Sequence, residues 1–239
     1  MLPSRTVYVS ALALLLAGVA AWAGWAPHDR ADWLLENALT LLAVVALAAS
    51  YRVLPLSRLS YTLVFLFMCL HTVGSHYTYS LVPYDAWSRA LTGHSLDAAL
   101  GWDRNNYDRL VHFSYGLLLA YPLREVVLRV GLLRGFWGYF LPLDVTMSTS
   151  MIYELIEWGA AVAFGGELGA AFLGSQGDPW DAQKDMALAS LGALIAMSIT
   201  AAVNARFRRD FSRDFLDSLK VKDPRPRGEE ELARRLAEP

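Results

Sequence analysis

The 239 residues are 55% apolar or aromatic and 18% charged, with a mean hydropathy of +0.30. A soluble domain carries about 25% charged residues, so this balance places the chain in the membrane class and excludes disorder and collagen-like repeats. The charge is near neutral (21 basic and 23 acidic residues), which gives no footing for nucleic-acid binding, and the single Cys69 excludes a disulfide framework or a Cys-rich metal site.

A hydrocarbon core of ~30 Å needs roughly 20 apolar residues in a helix. In chain order such runs are Val7–Trp25, Trp33–Ser50, Leu59–Gly74, Asp108–Val130, Phe136–Phe164 and Asp181–Val203. None alternates as a barrel strand does, and each is too long for one. The expected fold is therefore all-α, a polytopic transmembrane helical bundle of about six spans within residues 1–203. The third run is short and the fifth long, which calls for tilt, a kink at Pro142 or a partial span. Arg5, the first apolar run and Ala21-Trp22-Ala23 also fit a cleaved signal peptide, and that alternative stays open.

Basic residues orient the bundle. With the N-terminus inside, the inner face carries Arg5, Arg52, Arg58, Arg124, Arg129, Arg134 and ten more after Val203, sixteen in all; the outer face keeps Arg30, Arg89, Arg104, Arg109 and Lys184. This positive-inside asymmetry predicts cytoplasmic termini. In the tail from residue 204 to 239, Phe207, Phe211 and Phe215 recur at i+4 among Arg206, Arg208, Arg209 and Arg213, the pattern of a short helix on an anionic leaflet. Lys222–Pro226 then reads as a break and Gly228–Pro239 as a charged, mobile end.

Ionisable groups inside a span cost about 2.5–3.5 kcal/mol each, so they need partners or water. Here they gather. His71 sits near the outer end of the third run, ahead of Ser75-His76-Tyr77-Thr78-Tyr79. Asp108 and His112 stand at i,i+4 in the fourth, after Asp103-Arg104-Asn105-Asn106-Tyr107. Glu154 and Glu157, with Tyr153 and Trp158, stand at i,i+3 in the outer part of the fifth, and Asp178, Asp181 and Asp185 open the sixth. The helical rise places nearly all of them within ~10–15 Å of the outer surface. In the windows 103–112 and 154–185, eight acids, Glu167 among them, face only Arg104, Arg109 and Lys184. If they converge, protons, a bound cation or a basic ligand must relieve the repulsion. Carboxylates with imidazoles suit magnesium, manganese or zinc.

Simpler roles compete at each position. Asp178 ahead of Pro179 is a natural N-cap, and Asp181 favours the helix dipole. Asp108 is also a first-turn acid within reach of Arg104 and Arg109, and His112 alone would be a core histidine. Tyr77, Tyr79, Trp158 and Trp180 fit an interfacial aromatic belt. Glu154 and Glu157 have no capping role, and Asp185 lies a turn beyond the cap. The Gly-rich stretch from Gly165 to Gly177 tolerates close approach to a ligand or a short re-entrant turn. It has no phosphate-loop or dinucleotide spacing, and no Gly-x-Ser-x-Gly elbow is present.

Four segments carry a resemblance: His71–Tyr79, Arg104–His112, Tyr153–Trp158 and Leu173–Met186 resemble, in order, the YjdF family of bacterial inner-membrane proteins, a match running from about Asp32 to Thr200. The resemblance implies the membrane fold and the inner membrane and supplies no substrate; the positive-inside asymmetry is what predicts the acid cluster on the periplasmic side. The last three spans are also faintly similar to VanZ-like membrane proteins, associated with glycopeptide-antibiotic resistance. Asp108 with His112, Glu154 with Glu157, and Asp181 with Asp185 and Gly192 occupy that family's places; Glu157 stands where its pattern has Gln and Asp185 where it has Asn. Both departures add negative charge.

The expected activity is a divalent-metal-dependent hydrolase or transferase acting on a lipid-linked or envelope small molecule. His112, Asp108 and Glu157 are the candidate catalytic residues. Glu154, Glu157, Asp181, Asp185 and His71 are candidate metal ligands, and Arg104, Arg109, His76 and Tyr79 candidate substrate contacts. Two rival readings stand beside it: a cation or solute binding or transport protein, and a polar core that only fixes helix packing. The last predicts direct pairing of the acids with Arg104 or Arg109. The lipid bilayer is the one partner the composition demands.

Overall fold

The computed structural model describes residues 4–166, 169, 173–207, 211–222, 224 and 228–237; Glu167, Leu168, Arg208, Arg209 and much of the Lys222–Pro226 break lie outside them. The described residues are helical and contain no strand. The helices are α1 (Arg5–Trp25), α2 (Arg30–Ser50), α3 (Arg58–His76), α4 (Tyr84–Thr92), α5 (Leu96–Leu100), α6 (Tyr107–Val130), α7 (Trp137–Phe164), α8 (Asp181–Phe207), α9 (Phe211–Ser218) and α10 (Glu229–Ala237).

Local chemistry sets several of the boundaries. Ser4, Asp29 and Ser57 each accept a backbone N–H of the first turn they precede, at Val7, at Ala31 and Asp32, and at Ser60. The short α4 and α5 end at Gly93 and Gly101 in the left-handed region, which their missing Cβ permits. Pro142 lies inside α7, which runs on through it, and the Thr146 hydroxyl donates to the Pro142 carbonyl at 2.7 Å.

Among the described residues, α1, α2, α3 and α8 are long and apolar enough to cross a membrane. The α6 and α7 helices are as long, at 24 and 28 residues, but carry the acids and imidazole of the candidate site. The result is a helical membrane bundle of four to six spans. Its outer helices show the inverted economy of a membrane protein: Leu14, Leu15, Leu41 and Leu42 are exposed, whereas the only buried residues of α2 are the acids Asp32 and Glu36.

At the centre, α6 packs against α3, α7 and α8, while α1 and α2 lean on α3. The α6–α8 contact is the tightest. Gly116 and Ala120 of α6 face Ala189, Gly192, Ala193 and Ala196 of α8, all small, so the two backbones nearly touch. Chain direction alternates between neighbours. One end of the bundle therefore gathers the C-termini of α1, α3 and α7 with the N-termini of α2, α6 and α8. The His28 amide donates to the His76 carbonyl there, and Arg104 pairs with Asp181. At the other end Glu125 accepts from Ser57 and Ser60, and Ser218 of α9 caps Phe136.

Candidate functional site

The site is built from the start of α6 outward. Asn105 donates through its side chain to the Val82 carbonyl and exchanges two hydrogen bonds with the Gln176 side chain. Arg104 donates to Asp181 at 2.6 Å and to the Ser175 carbonyl at 2.8 Å. Arg109 reaches Asp178 at 2.5 Å and Asn106 at 2.9 Å, and Lys184 also donates to Asp178. Together they clamp the start of α6 to the segment that leads into α8. The Lys184 ammonium, with the Trp180 amide behind it, holds the Asp178 carboxyl down at about 2, so this clamp stays charged at neutral pH.

The clamp fixes the rotation of α6 so that Asp108 and His112, one turn apart, face inward toward α7 and α8. Donor atoms of Asp108, His112 and Asp185 all lie within 4.8 Å of one another. His112 Nε2 stands 3.5 Å from Asp108 Oδ1 and 3.5 Å from Glu154 Oε1. That is too long for an N–H···O bond, but it matches the ~3.4 Å edge of a tetrahedron of ligands at about 2.1 Å from one cation. Glu154 Oε1 and Asp185 Oδ1 are buried with no hydrogen-bond partner. The Glu154 and Glu157 carboxyl groups touch, one helical turn further along α7. No lysine or arginine pairs directly with Asp108, Glu154, Glu157 or Asp185 among the described contacts.

Beside this cluster lies a chamber of about 330 Å³ between α2, α3, α6 and α7. Asp108, His112, Glu36, His71, Tyr79 and Tyr153 form its polar end, and Phe67, Met68, Leu119 and Leu39 its apolar walls. Tyr153 donates to Glu36 Oε2 at 3.0 Å, joining α7 to α2. The Tyr79 hydroxyl and His71 Nδ1 are hydrogen-bonded, while His71 Nε2 has no partner at hydrogen-bonding geometry, although the Glu36 backbone lies near it. Tyr79 reaches this position from a turn in which Thr78 and Tyr79 both take φ of 50°, and its ring covers Gly74, where a Cβ would collide with it.

The structure thus brings Asp108, His112, Glu154, Glu157 and Asp185 to one point, and sets His71 and Tyr79 on the chamber wall beside it. Asp181 is drawn the other way, onto Arg104, which leaves Asp185 as the carboxylate that α8 supplies to the cluster. Arg104 and Arg109 are directed to acids and backbone carbonyls, and neither lines the chamber. His76 is also elsewhere: its Nδ1 meets the Ala23 carbonyl at 2.9 Å and its ring lies against Trp22. Trp158 and Trp180 are 63% exposed, as an aromatic belt requires, whereas Tyr79 is buried. Glu36 and Asp32 escaped the sequence reading. Their signal was present, two acids at i,i+4 opening an apolar run, on the same face and at the same depth as the others.

Over residues 8–206 the chain matches the family described as "Predicted membrane protein (DUF2238)". The "Inner membrane protein YjdF" of Escherichia coli (strain K12) is 38% identical over 208 residues, covering 87% of this chain and 95% of the relative. No solved structure matches.

Proposed function

The chain belongs to the YjdF family of inner-membrane proteins (DUF2238). From the geometry of its acid cluster we propose that it binds one divalent cation at Asp108, His112 and Asp185, and that this site serves a hydrolase or group-transfer reaction on a lipid-linked or envelope substrate. The observation that carries the reading is the convergence of three donors from two helices, with orphaned oxygens on Asp185 and on the adjacent Glu154. A buried carboxylate that no basic side chain answers is costly, and a cation removes that cost. Mixed oxygen and imidazole donors favour magnesium, manganese or zinc.

A cation bound there supplies Lewis-acid polarisation of a substrate oxygen. The rest falls to the chain. The Glu154–Glu157 pair, beside the triad on α7, is placed to take a proton from an attacking hydroxyl or water. Tyr153 and Tyr79 present hydroxyls at the chamber's polar end. The alternation of basic residues, with Arg52, Arg58, Arg124, Arg129 and Arg134 at the opposite end, supports a periplasmic site and cytoplasmic termini.

Calorimetric titration of the detergent-purified protein with manganese tests the reading. One ion per chain is expected. Asp185→Asn and Asp108→Asn should each weaken it at least 100-fold, a loss of about 2.7 kcal/mol. Absence of stoichiometric binding to the wild type by manganese, magnesium and zinc alike overturns the cation site.

A further inference from the structure

We propose that the chamber between α2, α3, α6 and α7 binds a lipophilic cation, an apolar body bearing one positive charge, admitted sideways from the bilayer. Its two carboxylates, Glu36 and Asp108, are answered by no lysine or arginine on its walls. The rings of Tyr79, Tyr115, Tyr153 and Phe67 surround the same space, and aromatic faces attract cations where water is excluded. A further polar atom on the wall, Ser150 Oγ, has no partner, although the residue is only 2% exposed. A buried group of this kind is normally satisfied, so its unmet bonding points to a ligand.

The entrance is read from exposure. Leu39 of α2 and Ile152 and Ile156 of α7 line the chamber yet are 40%, 50% and 43% exposed, so the chamber opens between α2 and α7. In a bilayer that opening faces hydrocarbon, which admits an apolar body and excludes a hydrated ion. Inside, the carboxyl groups select the sign: an anionic amphiphile would meet Glu36 and Asp108 with no basic side chain on the chamber wall. Glu36 stands outside the Asp108–His112–Asp185 triad, so the ligand's charge has its own partner whether or not a divalent cation is bound.

Radiolabelled tetraphenylphosphonium, titrated onto the full chain in lipid nanodiscs, tests the proposal. Saturable binding at one site is expected, and tetraphenylborate, of the same shape and opposite charge, should not displace it. Glu36→Gln should weaken binding at least tenfold, with part of the loss restored in Glu36→Asp. Ala43→Trp, which fills the chamber from α2, should abolish it, and Asp185→Asn should leave it in place even though the divalent site is gone. Unsaturable uptake by the wild type, equal displacement by tetraphenylborate, or wild-type affinity in a monodisperse Glu36→Gln protein would overturn the proposal.

Discussion

Gly116→Ala is expected to cost about 3 kcal/mol of stability, the upper end of the overpacking range, and Gly116→Leu to prevent assembly of the bundle. A Cβ at Gly116 would collide with the Ala189 carbonyl oxygen and lie 2.7 Å from the Ala193 amide nitrogen. At Gly192 it would collide with the Phe113 carbonyl oxygen and lie 2.7 Å from the Leu117 amide nitrogen. Both obstacles are backbone, so no side-chain rotation relieves them and the helices must separate. The same two helices supply Asp108, His112 and Asp185, so a separation that the fold survives still pulls the donors apart. Gly116→Ala should therefore also weaken manganese binding at least tenfold. Gly18 and Gly159, with open space where a Cβ would stand, are the controls: alanine there should be neutral or stabilising by up to about 1 kcal/mol. Equal stability of Gly116→Ala and Gly159→Ala, measured by reversible denaturant unfolding, would contradict the account of the α6–α8 contact.

Arg104→Ala should destabilise the protein by about 3 kcal/mol, the lower end of the range for removing one partner of a buried ion pair. Arg104 and Asp181 are both largely shielded, at 15% and 8% side-chain exposure, and Arg109 sits 3.4 Å from the same Asp181 oxygen, which softens the loss. The Ser175 carbonyl loses one of its two donors as well, keeping the Asp178 amide. Arg104→Lys should recover only part, because an ammonium lacks the second nitrogen, Nη2, that also faces Asp181 Oδ2 and the Gly174 carbonyl. Faster proteolysis between Gly174 and Gly177 should accompany the change, since that segment is tied to α6 through Arg104 and the Asn105–Gln176 pair. An Arg104→Ala protein with wild-type stability and an uncut loop would show that the clamp is ornamental.

Much of this architecture was legible from one sequence because a membrane makes polarity conspicuous. Long apolar runs announce helices, and an acid within one must turn toward protein, so Asp108, His112, Glu154, Glu157 and Asp185 could be selected by depth alone. Depth fixes the level of a residue but not its direction. Asp181 and Asp185 stand one turn apart on one face of α8, yet Asp181 pairs with Arg104 while Asp185 faces His112; the register of α8 against α6, fixed at the Gly116–Gly192 contact, decides which acid meets which partner. His76 lies about a turn and a half beyond His71 and so faces α1, where its ring meets the Ala23 carbonyl. Glu36 was overlooked because α2 reads as an ordinary lipid-facing helix until Tyr153 of α7 is seen to reach it.

The central claim is that α6 and α8 bring Asp108, His112 and Asp185 around a single point that a cation fills. Pulsed electron paramagnetic resonance of the manganese-loaded protein tests it most directly, because imidazole nitrogen modulates the manganese echo when it is a ligand. One tightly held ion per chain, coupled to a single nitrogen that disappears in His112→Gln, is the predicted result. Manganese that stays in solution, or a bound ion whose nitrogen coupling survives His112→Gln, would contradict it.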